Sequence, residues 1–540
     1  MNELIQSGAE IFDDVEAVEV VMTQKQAPAT QTNKDHGKAV MTLQSKPNLA
    51  KVTDAAVTVL RSVKDIYHNG SGLVECNEGE IKPISEVRLS YHVSKATGCD
   101  LTPREAQSVL AKGEWEGVRY LKGITDHSVI DLDGYEVNEG GYHEKHQLYF
   151  NADGCYCQIP ERPTKDDALE AVKWLNDELL CDVLFDSEDD RTAAIAGMMT
   201  AALKPVLSSA PLLHINAGMR GVGKSTLSDI CSIIACGKST GGTKFADEEE
   251  MTKKMLSYAI AGAPVVLFDN ATHHFNDATL CTATTEGRIA GRALGGNKLI
   301  DLPYTAFTMT NGNNVMPIND LATRAIMCKL NTNMANPEKR TYKKKDPTEG
   351  GFNSFCMVNR SVILSCLLTI VKARQIAQKA DNLPSFPNAS RFSEWNRLIR
   401  DPIMWLGLGD PLASIEKALA SNPAENRDAE AIRLLWIVFN TQPFKVSDIC
   451  HNAKLVALLC EATGNEAIGK SKIMRTWLDN RKDQHHGGLF IREATKKDNT
   501  ARFRLEGDAD NSCPPLTEDE KKIFENAPEF VRSGMAQSLF

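Results

Sequence analysis

The period of the hydrophobic pattern changes several times along the chain, and the changes divide it. Residues 1–45 alternate Gln, Thr, Ala and Lys with almost no apolar periodicity, which predicts a disordered or tethering tail. From 46 to 162 short apolar runs are broken by turn residues, as in Gly70-Ser71-Gly72-Leu73-Val74, Ser128–Gly134 and His146–Phe150. That rhythm predicts a small strand-rich domain. Pro163-Thr164-Lys165-Asp166-Asp167 then opens a helix with Thr164 as its cap, and helical spacing continues through Ala168–Leu180 and Thr192–Leu203.

Over 163–335 strand-like and helical runs alternate, which predicts an α/β core on a parallel sheet. Residues 336–440 are mostly helical by the recurrence of Val358, Val362, Ile363, Leu367, Ile370 and Val371, and Glu430–Phe439 is a further helix. Residues 441–508 read as a small helix-rich domain closed by a hairpin. A tail, 509–540, carries Pro514-Pro515 and one short helix near Glu518–Asn526. There is no internal repeat.

At 540 residues with 42% apolar and 24% charged positions, the chain has the composition of an ordinary globular protein of several domains. No run of eighteen apolar residues and no basic-then-apolar leader occurs, so the expectation is a cytoplasmic protein without a membrane partner. Fourteen cysteines without a C-x₂-C pair read as small buried hydrophobes, Cys231, Cys366 and Cys460 among them. The net charge of −10 is unevenly spread: residues 1–40 hold seven acidic against three basic residues, whereas 470–504 hold ten basic against four acidic. A local basic surface is what nucleic acid requires, whatever the total.

The densest chemistry is Gly218-Met219-Arg220-Gly221-Val222-Gly223-Lys224-Ser225, followed by Thr226. It lies between an apolar strand (Leu212, Leu213, Ile215) and a helical run (Leu227, Ile230, Ile233, Ile234). This is the G-x-x-x-x-G-K-S phosphate loop: its backbone N–H groups face the phosphates, Lys224 brings a charge to the β/γ-phosphates, and Ser225 ligates Mg²⁺. The expected cofactors are ATP and Mg²⁺. Forty-five residues on, Val265-Val266-Leu267-Phe268-Asp269-Asn270 is a strand ending in a carboxylate, and Asp269 suits the Mg²⁺ shell. Asn270 occupies the position where many ATPases carry a glutamate; an amide orients water without taking its proton, so the sequence shows no general base.

Phe307–Asn314 is another strand ending in amides. Asn313, or as second choice Asn311, is placed to sense the γ-phosphate, the alternative being a plain Asn-Gly turn. Asp320-Leu321-Ala322-Thr323-Arg324 offers Arg324, which in a ring can reach a neighbour's γ-phosphate. Between these elements Gly287–Pro303 reads as a hairpin around Gly-Gly-Asn-Lys. Its cations Arg288, Arg292 and Lys298 are candidates for a DNA backbone or for an ordinary solvated face.

Taken in order, the phosphate loop, Asp269-Asn270, basic hairpin, Thr310-Asn311-Gly312-Asn313-Asn314 and Asp320–Arg324 resemble the AAA+-like superfamily 3 helicases. The likeness is closest to the primase-helicase proteins of phages and mobile elements. Tyr120–Ile124 through Gly140-Gly141-Tyr142, and Ser393–Gly407 with Asp410-Pro411, extend it to about residues 115–508. The resemblance implies a homo-hexameric ring hydrolysing ATP to unwind DNA 3′ to 5′, with single-stranded DNA inside the ring. Thr323 replaces a frequent second arginine and no primase motif precedes the loop, so a primase or other replication protein would be a separate partner.

The C-terminal segment adds an independent signal. Phe444–Ile449, Leu455–Ala462 and Ser471–Arg481 read as three helices, followed by strands Leu489–Ala494 and Ala501–Leu505 around Lys496-Lys497-Asp498-Asn499. This is the pattern of a winged helix, with Lys472, Arg475, Arg502 and Arg504 as candidate duplex-DNA contacts; a protein-binding winged helix is the alternative. His143-x-x-His146 with Cys155-x-Cys157 offers four zinc-ligand types, but Cys-x-Cys is not the usual knuckle and the segment reads as a hairpin around Gly140-Gly141 rather than a zinc site. His273-His274 and His485-His486 read as loop residues, Lys343-Lys344-Lys345 as a solvated loop and Asp247–Glu250 as the acidic first turn of a helix. The leading expectation is a replicative DNA helicase. The alternatives are a DNA-bound ATPase that does not unwind, and a nucleotide-gated DNA-binding switch.

Overall fold

The structure is a computed structural model that describes residues 48–507, except 78, 293–298, 338–339, 341–350, 382, 388–389, 416–422 and 498–499. The tails expected at 1–45 and 509–540, the tip of the basic hairpin with Lys298, and Lys343–Lys345 lie outside the described residues. The chain forms two units that divide between Ile415 and Glu416.

The first unit opens with a helix, Leu49–Ser62, whose buried Val52, Ala56, Val59 and Leu60 recur at helical spacing. An antiparallel sheet follows, β1 (Ile66–Asn69), β2 (Gly72–Asn77) and β3 (Glu80–Pro83), in sequential order. Helix Glu86–Thr97 starts on the Ser85 cap and stops at Gly98, whose φ of 73° lies in the left-handed region. Helix Pro103–Ala111 starts on a Thr102/Glu105 capping box. Three helices therefore share this region with its strands, more helix than the turn-broken pattern predicts. The helices are short, and polar Thr and Ser positions interrupt their apolar faces, so the turn residues dominate the sequence signal.

Five further strands lead toward the core: β4 (Gly123–His127), β5 (Val129–Ile130), β6 (Glu136–Val137), β7 (Gly141–His143) and β8 (Leu148–Cys155). β8 pairs parallel with β4 and antiparallel with β7.

The centre of the unit is a four-stranded parallel sheet. Its strands β9 (Leu212–Ala217), β10 (Val265–Ala271), β13 (Phe307–Asn313) and β14 (Ala325–Leu330) stand in the order β10-β13-β9-β14. Antiparallel β11 (Arg288–Arg292) and β12 (Leu299–Pro303) form the hairpin inserted before β13. Parallel strands covered on both faces read as unbroken apolar runs, which is how Leu212–Ile215 and Val265–Phe268 appear. Helix Glu188–Leu203 is buried nearly all round, so its sequence lacks a polar face. Helix Glu248–Ile260 begins with Glu248, Glu249 and Glu250 after the Asp247 cap, as its acidic start predicts.

After the sheet come helices Gly351–Val358 and Arg360–Asp381. By length and composition the second is apolar enough to cross a membrane, but half of its apolar window is buried within the protein, Arg374 with it. Trp395, fully buried, donates its indole N–H to Thr200 Oγ1 at 2.8 Å, and Arg400 forms a two-pronged pair with Asp410 at 2.9 and 2.6 Å.

The second unit holds helices Pro423–Phe439, Val446–Cys450, Ala453–Thr463 and Ser471–Arg481, then β15 (His485–His486), β16 (Leu489–Lys497) and β17 (Thr500–Gly507) in the order β15-β16-β17. Its core joins Ala431, Ile432 and Leu435 with Leu459, Leu478, Ile491 and Phe503. The helix containing 430–439, expected to end a helical domain at 440, packs instead into this core. The division consequently falls about 25 residues earlier than the pattern suggests.

Candidate functional site

Topology decides where chemistry can gather. β9 is the first of the four strands in sequence, yet it lies inside the sheet between β13 and β14, and its continuation crosses β13 to reach β10. In an open parallel sheet such a crossing leaves a crevice beyond the carboxyl ends of the strands. The segment Gly218–Gly223 leaves β9 at that edge and runs into helix Lys224–Cys236. Gly221 (φ 77°) and Gly223 (φ 115°) hold left-handed conformations that a side chain would strain. Gly218, Met219, Arg220 and Ser225 are exposed, Gly223, Lys224 and Thr226 half-buried, and Val222 anchors the loop in the interior.

Lys224 Nζ donates to Asn313 Oδ1 at 2.6 Å, joining the end of β9 to the end of its neighbour β13. Burial lowers the ammonium pKa; the negative charge of Asp269 opposes that shift and Arg220 adds to it. Asp269 is exposed at the end of β10, two strands from the loop. Its backbone N–H donates to Thr243 O at 2.8 Å, and Thr243 N–H donates to Leu267 O at 2.8 Å. Residue 243 thereby extends the sheet by one parallel pairing beyond β10. Just before it, Gly242 lies flat against the carboxylate: a Cβ there would sit 2.4 Å from Asp269 Cβ and 3.1 Å from its Cγ. Only glycine lets the segment before Thr243 pack this closely on the Asp269 side chain.

The two sensor candidates have different partners. Asn311 is buried and accepts the Asn270 backbone N–H at 2.8 Å, whereas Asn313 touches the lysine. Asn270 itself stands at φ 59°, unusual for a residue with a side chain, where the β10–β13 register shifts between Phe268 and Ala271. Asn311 therefore holds a strained corner of β10 whose side chain is exposed beside Asp269. Below the site, fully buried His214 bridges strands: its Nε2 contacts Val315 O at 2.7 Å and its Nδ1 contacts Thr310 Oγ1 at 2.8 Å. A carbonyl only accepts, so Nε2 carries the proton and Nδ1 accepts from the threonine. Burial depresses this imidazole to about 4.

The far end of the loop helix is also held. Ile234 O accepts from Arg360 Nη2 at 3.0 Å and Nε at 3.3 Å, and Arg360 Nη2 is paired with Asp126 at 2.6 Å. A cation at a helix C-terminus complements its dipole.

The remaining candidates are not gathered here. Arg324 precedes β14 at the opposite end of the sheet, roughly 15–20 Å from the loop by strand rise. It is 8% exposed, paired with Asp320, and donates to Thr285 Oγ1 and Asp320 O at 2.7 Å each. One chain therefore does not bring Arg324 to its own Lys224. Arg288 on β11 pairs with Asp301 at 2.8 Å, and Arg292 is exposed. The hairpin base is seated on the β1–β2 turn, where a Cβ on Gly70 would meet Asp301 O at 2.1 Å.

In the second unit Lys472 is exposed and Arg502 half-buried. Arg475 pairs with Asp479 at 2.7 Å and lies over the Phe503 ring at 4.8 Å, while Arg504 pairs with Glu506 at 2.5 Å. His146, of the His143-x-x-His146 pair, contacts Asp131 at 2.9 Å.

One cation at the loop has no sequence signal. Arg340 follows β14 by ten residues and reaches the carbonyls of Gly221 and Val222 at 3.4 Å. Nothing in its neighbourhood is periodic or motif-like, so only the fold reveals it.

No family model and no curated protein matches the chain. Among solved structures, two apo forms of the NrS-1 C-terminal region align at TM-scores of 0.39 and 0.36 with 12% identity. They cover 82% and 80% of this chain and 96% and 93% of those chains.

Proposed function

We propose that the chain binds and hydrolyses ATP with Mg²⁺ at the Gly218–Ser225 loop and uses the cycle to move on DNA, as a helicase of the superfamily 3 kind. The observation that carries this reading is convergence: Lys224, Asn313 and Asp269, far apart in sequence, stand at the carboxyl edge of one parallel sheet beside a glycine loop that opens a helix. Left-handed glycines let backbone N–H groups turn toward an anion, and the following helix adds its positive end. Lys224 supplies a localised charge to the phosphates, and Asn313 is poised to exchange its lysine contact for a phosphate oxygen or a water. Asp269 and Ser225, oxygen donors both exposed at this edge, would hold the magnesium ion. The ion supplies charge neutralisation on the transferring phosphoryl group.

Helices Val446–Cys450, Ala453–Thr463 and Ser471–Arg481 with the β16–β17 hairpin we read as a winged helix for duplex DNA, and the β11–β12 hairpin as the contact for single-stranded DNA. Arg324, at the far end of the sheet, fits a role at a neighbour's site in a ring, for which it would exchange Asp320 for phosphate.

Lys224→Ala tests the reading. Mg-ATP affinity and single-strand-stimulated ATP turnover should both fall at least about a hundredfold, and strand displacement should vanish. Unchanged binding and turnover in this variant would overturn it. One observation favours a second reading: Asn270, a strained amide, stands where a carboxylate base is expected. A nucleotide-gated DNA-binding switch would need no base. Turnover unresponsive to single-stranded DNA, with DNA affinity that changes on ATP binding, would select it.

A further inference from the structure

A glycine loop that cradles phosphate is effective only when its N–H groups already point inward, since ordering a flexible loop on binding subtracts from affinity. N–H groups point inward when the carbonyls of the same peptides point outward, and outward carbonyls need partners. In this chain Arg340 supplies them. Its Nη1 donates to Gly221 O and to Val222 O at 3.4 Å each, and its Nη2 donates to Asp182 O at 3.4 Å. The guanidinium also passes 3.7 Å from the place a Cβ on Gly223 would take. Each contact is long, but one planar fork spans three carbonyls, which an ammonium does not do.

The third carbonyl gives the contact its leverage. Asp182 is buried and begins a segment laid along β14: Asn331 N–H donates to Leu184 O at 2.9 Å, Asp186 N–H donates to Lys329 O at 3.0 Å, and Phe185 pairs with Leu330. Arg340 thus ties the carbonyls of Gly221 and Val222, at the turn of the loop, to the edge of the sheet.

We infer that Arg340 is a positioning residue for the phosphate loop, holding Gly221 and Val222 with their carbonyls outward so that the loop's N–H groups face the phosphates of a nucleoside triphosphate. This rests on the nucleotide reading above. It adds a residue in the same chain that acts through the loop from behind, on the side away from the ligand.

The test compares Arg340→Ala, Arg340→Lys and Lys224→Ala in the full chain by titration with a fluorescent ATP analogue and Mg²⁺. Arg340→Ala should raise Kd about tenfold, equivalent to about 1.4 kcal/mol, with the melting temperature measured without nucleotide unchanged. Arg340→Lys should recover only part of the loss. Guanidinium at millimolar concentration should restore binding to Arg340→Ala and leave Lys224→Ala unaffected. Amide exchange over 218–223 without nucleotide should quicken in Arg340→Ala. Wild-type affinity in Arg340→Ala while Lys224→Ala loses binding would overturn the inference and leave the site standing. Full binding by both variants would remove the nucleotide reading itself. If Arg340→Ala fails to fold, wild-type affinity and wild-type loop exchange in Arg340→Lys would overturn the inference equally.

Discussion

The two sets of charged groups assigned to ligands in this chain are built on opposite principles. At the carboxyl edge of the central sheet Lys224, Asp269 and Asn313 converge, and their nearest partners are one another or glycine. In the second unit and on the β11–β12 hairpin several of the described cations are already matched: Arg288 with Asp301, Arg475 with Asp479, Arg504 with Glu506, Arg492 with Asp483 and Glu506. Convergence at a strand edge is imposed by topology, because parallel strands end together. Availability of a surface cation depends on whether an acid stands at pairing distance, and sequence spacing says little about that across a hairpin. The lesson is that the edge cluster behaves as a unit, whereas the surface cations must be judged singly.

The largest expected break in this comparison is Asp269→Asn. The amide keeps shape and hydrogen bonding but removes the charge beside Lys224, so steady-state hydrolysis at saturating Mg²⁺ should fall about a thousandfold, on the order of 4 kcal/mol. Binding of nucleotide without Mg²⁺ should change only a few-fold. Equal loss of both, measured by turnover and by titration in EDTA, would mean that Asp269 shapes the pocket rather than serving the metal.

How much of this was legible follows from the same contrast. Asp269 closes an apolar run, Lys224 opens the helix after a strand and glycine loop, and Asn313 ends a strand in an amide cluster, so pattern and motif agreed on them. Arg324 was visible as a candidate by its order after β13, but its burial against Thr285 and Asp320 was not, since no periodicity covers the four-residue helix Asn319–Ala322 before it. The distinct partners of Asn311 and Asn313 were also hidden: two apart on one strand they share a face, and only the order of the neighbouring strands decides that one meets β10 and the other the loop helix. Gly242 and Arg340 lie outside every motif and act through backbone contacts. The helices of residues 49–111 escaped notice because their apolar stripes are narrow and flanked by strong turn signals.

A second prediction sets the two units against each other in acid. His214, fully buried and neutral, has a folded pKa of about 4 against an ordinary value of 6.5. Between those values the unfolded chain binds the proton and the folded chain does not, so stability of the first unit falls as pH drops through this window. The loss is on the order of 3 kcal/mol once both values are passed. His68 and His146, also lowered by burial, add in the same direction. Asp190, Asp277 and Asp401, raised by burial, oppose it near the acid end. In the second unit the resolved shifts among described residues are those of Lys482 and Arg492, both raised and far from this range. Calorimetry from pH 7 to 5 should therefore lower the transition of the first unit by several degrees and leave that of the second in place. A common shift of both would mean that the titrating groups lie elsewhere.

The smallest effects belong to the surface cations, and they test the pairing argument most directly. Lys472 and Arg292 are exposed and form no ion pair among the described residues, whereas Arg475 and Arg288 are matched. A cation whose charge is already balanced releases fewer counterions from DNA, since binding must first break its internal pair. Lys472→Ala should weaken duplex binding, and Arg292→Ala single-strand binding, about three- to fivefold at moderate salt, each lowering the slope of log K against log salt by about one. Arg475→Ala and Arg288→Ala should change affinity less than about twofold, with the slope unaltered. Were the matched and unmatched cations to cost the same, the ion pairs seen here would have to open on DNA at no cost. The second unit would then be as pre-arranged for its proposed ligand as the strand edge is for the nucleotide proposed there.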